Sequence, residues 1–155
     1  MDGRVGGGGS ATCMRLRERD VRIAGTRDTF SEMSQRNLLG RPLETCSEDP
    51  MTGWFRTGCC ETDENDTGRH VVCVQMTAEF LAFSTSRGND LSTPRPGFAG
   101  LRPGDRWCVC AARWQEAFLA GVAPPVFLAG THEQAVEICD REELLRHALD
   151  AHNLN

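Results

Sequence analysis

Eight cysteines and four histidines carry most of the chemistry open to this 155-residue chain. Cys59, Cys60, His70 and Cys73 fall in the stretch GWFRTGCCETDENDTGRHVVC, and Cys108 and Cys110 follow in WCVC. Tetrahedral zinc takes four thiolate or imidazole ligands, usually offered as closely spaced pairs. HVVC and CVC each supply one pair, so the first candidate set is His70, Cys73, Cys108 and Cys110, with Cys46 and Cys60 as substitutes from the loop region. On a regular strand His70 and Cys73 face opposite sides, and a shared ion needs a turn or bulge between them. Cys108 and Cys110 share a face, and no CxxC pair is present.

The same sulfurs have other readings. A free cysteine behaves as a small hydrophobe, and Cys73 and Cys108 sit among Val, Trp and Met, where a core thiol belongs. Cys60 follows a glycine in a polar loop and is the candidate nucleophile or redox thiol; Glu61 and Asp63 oppose a thiolate there, and Arg56 offsets them. His70 is the histidine nearest these segments and so the candidate base for a cysteine nucleophile. DENDTG resembles the start of a calcium loop, but the twelfth position is Val74 rather than Glu, so the acidic run reads as a solvated turn. A second polar set lies in and beside GNDLSTPRPGFAGLRPGD. There Arg87, Asn89, Asp90, Arg95 and Arg106 either line a pocket for an anionic group or brace the loop internally through turn chemistry.

These residues need elements to hold them. HVVCVQM reads as a buried strand, followed from Thr77 by a helix with Met76, Phe80 and Phe83 at helical spacing. WCVCA reads as a second strand running into a helix that carries Ala111, Trp114 and Phe118 on one stripe and stops at Gly121. PVFLA and QAVEIC, parted by GTHE, predict a hairpin. Asp140 with Glu143 predicts a capped last helix burying Leu144, Leu145, Ala148 and Leu149. The expected fold is α+β: a small sheet with about three helices, arranged as two strand–helix units, a hairpin and a C-terminal helix.

Residues 1–32, with a glycine run at 6–9 and mixed charges, read as an extension that is flexible or ordered by a protein partner, and residues 33–155 as a single globular domain. The 17 basic residues are all Arg and face 22 acidic ones, a net charge of −5 that argues against nucleic-acid or anionic-membrane binding. No apolar run approaches the roughly 20 residues of a membrane span, and no secretory signal is apparent. A cytoplasmic protein without a disulfide framework is therefore expected, with organellar import through the extension left open.

NLLGRPLETC, TGWFRTGCC, HVVC, EFLAFSTSRGNDLSTPRP and LRPGDRWCVCAARW together resemble a domain-of-unknown-function family of bacteria and plants, numbered twenty-two thirty-seven, over about residues 37–150. The family pattern places cysteines at Cys46, Cys60, Cys73, Cys108 and Cys110 with His70 ahead of Cys73. Cys13, Cys139 and the extension lie outside it, and the PGFAGL segment is shorter here. The resemblance implies no particular activity. The functional expectation is a cysteine-rich binding domain that holds zinc or provides reversible thiol chemistry. The alternatives are a structural or interaction subunit, or an enzyme with Cys60 as nucleophile.

Overall fold

The computed structural model describes Thr12, Cys13 and residues 35–151. At its centre is a two-stranded antiparallel sheet of β1, His70–Gln75, and β2, Arg106–Cys110. In β1 the side chains of Val71, Val72, Cys73 and Val74 all have 0% exposure, so both faces of the strand are covered. A continuous apolar run rich in valine suits that double burial. The register sets Cys73 opposite Cys108 and His70 opposite Cys110, with an irregularity between His70 and Val72.

Each strand leads into a helix. After β1, Thr77 caps α1, Ala78–Ser86, its hydroxyl accepting the Phe80 amide at 3.0 Å. After β2 the chain passes directly into α2, Ala111–Leu119, which buries Ala111, Trp114 and Ala117 at helical spacing. Trp114 is wholly buried and donates its indole N–H to the Pro124 carbonyl at 3.0 Å. A third helix, α3, Arg141–Arg146, starts on the Asp140 carboxylate, which accepts from the amides of Glu142 and Glu143, and buries Leu144. The α+β class, the small sheet, the three helices and the two adjoining strand–helix units are those the sequence predicts, but α3 ends at Arg146, so of the four residues expected to be buried on it only Leu144 is, and Leu149 is exposed.

The expected hairpin is corrected. Leu128–Gly130 and Glu133–Glu137 form 3-10 turns, and Val126 makes only isolated bridges to Val74 and Ala148. The backbone donors that a hairpin would use are taken elsewhere. The buried Asp150 carboxylate accepts from Leu128 and Ala129 at 2.7 and 3.0 Å, and the His132 amide donates to Val71 at 2.9 Å. Val136 and Ile138, apolar positions of the proposed second strand, are left more than two-fifths exposed.

The expectation of no disulfide framework is also corrected. Cys13 is bonded to Cys59, Cys46 to Cys73 and Cys60 to Cys108. The segment from 44 to 62 has no helix or ladder of its own, and two of these bonds staple it to the facing positions of β1 and β2. The predicted N-terminal extension lies outside the described residues except at Thr12 and Cys13, where Cys13 also donates its amide to Leu43 at 2.8 Å.

Candidate functional site

The paired strands divide the sulfur chemistry into two places. At their middle, Cys73 and Cys108 with their partners Cys46 and Cys60 form a buried cluster against Phe127. The sulfurs of Cys46, Cys60 and Cys73 lie within 4.8 Å of one another. At the end of the strand pair, the irregularity in β1 turns His70 toward Cys110, away from that cluster. His70 Nε2 is 3.3 Å from Cys110 Sγ, and His70 Nδ1 is 2.7 Å from Asp66 Oδ1. Cys110 is a free thiol and half-buried.

Asp66 is built to hold the imidazole. Its side chain is fully buried. Oδ2 accepts from the His70 amide and from the Thr62 hydroxyl, each at 3.0 Å, which leaves Oδ1 for the ring. Burial works to raise its carboxyl, but the hydrogen bonds from His70 and Thr62 overcome that and hold it below the ordinary value. His70 is pushed up to about 9, first by its hydrogen bond to Cys110 and then, against the effect of burial, by its bond to Asp66. These contacts favour the charged form of the ring, in which both nitrogens donate. Gly68 gives the pair room, since a Cβ there would sit 2.9 Å from His70 Cε1 and 3.3 Å from Cys110 Sγ.

His70 and Cys110 form one wall of a cleft of about 430 Å³. Trp54 stacks on His70 with ring centroids 5.7 Å apart, and Trp107, Phe98, Leu91 and Val109 extend the apolar lining. Arg56 and Arg95 add cationic groups, stacked on Trp107 at 5.2 Å and on Phe98 at 4.8 Å. A thiol beside an orienting imidazole, opening on a partly apolar cleft, is the arrangement required of a cysteine nucleophile. Cys139 is the contrasting free thiol: it is buried, donates to the Ala111 carbonyl at 3.2 Å, and is pushed up to about 12 by burial and then by Glu143.

The predicted site residues thus separate. Of the proposed zinc ligands, Cys46, Cys60, Cys73 and Cys108 come together, whereas His70 and Cys110 pair with each other. Cys60 is not in an exposed polar loop: it has 0% exposure and is bonded to Cys108, because the loop folds inward onto β2. In the polar loop, Asn89 and Arg95 line the cleft. Asp90 braces the turn by accepting the amides of Ser92 and Thr93. Arg87 pairs with Glu116 at 3.3 Å, and Arg106 lies over Phe127 at 4.2 Å, so neither lines the cleft. The residue the sequence reading missed is Asp66, hidden in a run of acids whose other carboxylates, on Asp63 and Glu64, are exposed. The usable signal was Asp66 four residues before His70, across a turn closed by Gly68.

Fold and sulfur content define a small cysteine-rich α+β domain. A family model described as an uncharacterized protein conserved in bacteria, DUF2237, matches residues 36–148, and the chain belongs to that family. Among curated proteins none matches the chain. Among the described residues no helix is long and apolar enough to cross a membrane.

Proposed function

We propose that this domain is a thiol-dependent catalyst in which Cys110 is the nucleophile, His70 its acid–base partner and Asp66 the positioning residue. One observation carries the reading: the contact chain from Cys110 Sγ to His70 at 3.3 Å and from His70 to Asp66 at 2.7 Å, at the wall of an open cleft. The thiolate is the form that attacks, and His70 Nε2, 3.3 Å from Cys110 Sγ, is placed to exchange a proton with the sulfur or with a leaving group beside it. On an acyl substrate, a bond would form between Cys110 Sγ and the acyl carbon. The leaving group would depart with the proton from His70 Nε2. Water would then attack the thioester, giving a proton back to His70 and releasing the acid and the thiolate. Asp66 remains ionised throughout and keeps the ring turned toward the sulfur.

Alkylation of the folded protein by iodoacetamide, followed by peptide mapping, tests this assignment. Cys110 should react on the order of ten-fold faster at pH 7 than the same cysteine in the unfolded chain. His70→Ala should abolish the advantage. Equal rates in folded and unfolded chains would remove Cys110 as an activated nucleophile.

A second reading belongs to the buried cysteine cluster, favoured by the mutual approach of Cys46, Cys60 and Cys73 within 4.8 Å. Tetrahedral zinc with bonds of about 2.3 Å holds its sulfurs roughly 3.8 Å apart. If a dithiol reductant supplies two electrons and two protons to each of the bonds Cys46–Cys73 and Cys60–Cys108, four thiols are released in one place, and zinc displaces their protons. Reduced protein exposed to zinc and then washed should retain about one equivalent by elemental analysis. Retention below about a tenth of an equivalent would reject this reading.

A further inference from the structure

Resting on Cys110 as the nucleophile, we infer that the cleft selects a small anionic electrophile, one with a carboxylate or similar oxyanion beside the carbon that the thiolate attacks, and that Arg56 and Arg95 select it. The described arginines differ in whether a carboxylate meets them. Arg69, Arg87 and Arg113 each meet a glutamate, at 3.9, 3.3 and 3.2 Å. Arg56 and Arg95 meet none within ion-pair distance among the described residues, a condition they share with other arginines such as Arg102 and Arg106; what sets these two apart is that they line the cleft. Their side chains donate only to backbone carbonyls, Arg56 to Gly53 at 2.8 Å and Arg95 to Asp90 at 3.1 Å. The Asp90 carboxylate accepts the amides of Ser92 and Thr93 and meets the Arg95 charge only at longer range, as the weakest of the influences on it.

Both guanidinium groups lie in the wall of the cleft that holds His70 and Cys110, and no acidic side chain lines it. That is a local reversal of sign in a chain with a net charge of −5. Each guanidinium also lies over an aromatic ring of the cleft, Arg56 over Trp107 at 5.2 Å and Arg95 over Phe98 at 4.8 Å, a cation–π contact that restrains its position. Arg56 is held there at a backbone φ of +56°, a left-handed conformation that costs a non-glycine residue stability and recurs at ligand clamps. Donors left over from stacking and backbone bonds, in a cleft walled by Trp54, Phe98 and Trp107, suit a planar oxyanion. The indole and phenyl rings leave room for an apolar or flat remainder of the substrate.

Iodoacetate and iodoacetamide make the test, because they carry the same reacting carbon and differ in charge. With either, a bond forms between Cys110 Sγ and carbon and iodide leaves. The rate ratio of iodoacetate to iodoacetamide at Cys110, measured by peptide mapping, is compared with the ratio at the same cysteine in the urea-unfolded chain. The folded protein should raise this ratio roughly ten-fold. Arg56→Gln and Arg95→Gln should each lower it, and the double variant should return it to within about two-fold of the unfolded value. The iodoacetamide rate of these variants reports whether the folded site survives the substitution, and Arg113→Gln, away from the cleft, should leave the ratio unchanged. A fast iodoacetamide reaction with no preference for iodoacetate would overturn the anion assignment while leaving the nucleophile in place. A preference that persists in the double variant would overturn the roles of Arg56 and Arg95. No acceleration with either reagent would overturn the assignment together with the catalytic reading beneath it.

Discussion

His132 and His70 are opposite cases of what a fold does to an imidazole. His132 is 3% exposed, its Nδ1 accepts the Gln134 amide at 3.0 Å, and burial followed by the charge of Arg69 pushes it down to about 4. Between an unfolded value near 6.5 and that folded value, the unfolded chain binds a proton that the native state refuses. Stability should therefore fall as pH drops from about 6.5 to 4, by at most about 3 kcal/mol. Urea titrations at the two ends of that range should show the loss, and His132→Gln should reduce it; an unchanged slope in the variant would assign the loss to other groups. His70 has the opposite sign. Its raised value favours the folded state below about 6.5, and that support is lost as pH rises through about 9. At this scale the sequence was only partly readable. His70 was visible as a candidate base, but its partners were not: Asp66 looks like one more solvated acid until Thr62 and the His70 amide are found enclosing it.

At the scale of elements, β1, α1, β2, α2 and α3 were legible because each carries its own local signal. These signals are the apolar runs of β1 and β2, a threonine cap before α1, the apolar stripe of α2 and an aspartate cap before α3. The hairpin was not, because its failure depends on Asp150 and Val71, which take backbone groups of the segment from outside it. The strand irregularity between His70 and Val72 is also a matter of pairing, and it decides whether His70 joins the buried cysteines or Cys110. The staples were hidden for a related reason: spacing along the chain does not say which sulfurs meet. Of these, Cys46–Cys73 closes a separation of 27 residues, so replacing both by Ala should lower stability by about 3 kcal/mol in denaturant unfolding without reductant. A loss below about 1 kcal/mol would mean that the loop from 44 to 62 is held by its packing rather than by that bond.

Over the whole molecule, two kinds of sulfur are kept apart by one pair of strands. The cluster of Cys46, Cys60, Cys73 and Cys108 is buried and bonded within itself, with Cys108 also lining the cleft, and this suits a structural or metal-exchanging role. Cys110, one residue beyond Val109 on the same strand, opens on a cleft with a charged histidine beside it. Cys110 lines the same cleft as Arg56 and Arg95, and in the proposed function it is the thiol that reacts there. The proposed function requires that Cys110 and His70 be coupled through their 3.3 Å contact. The most direct test is the titration of the His70 ring followed by NMR in the wild type and in Cys110→Ala. A midpoint near 9 that falls clearly when the sulfur is removed is the expected result. The same midpoint in both proteins, or an ordinary imidazole midpoint in the wild type, would contradict it.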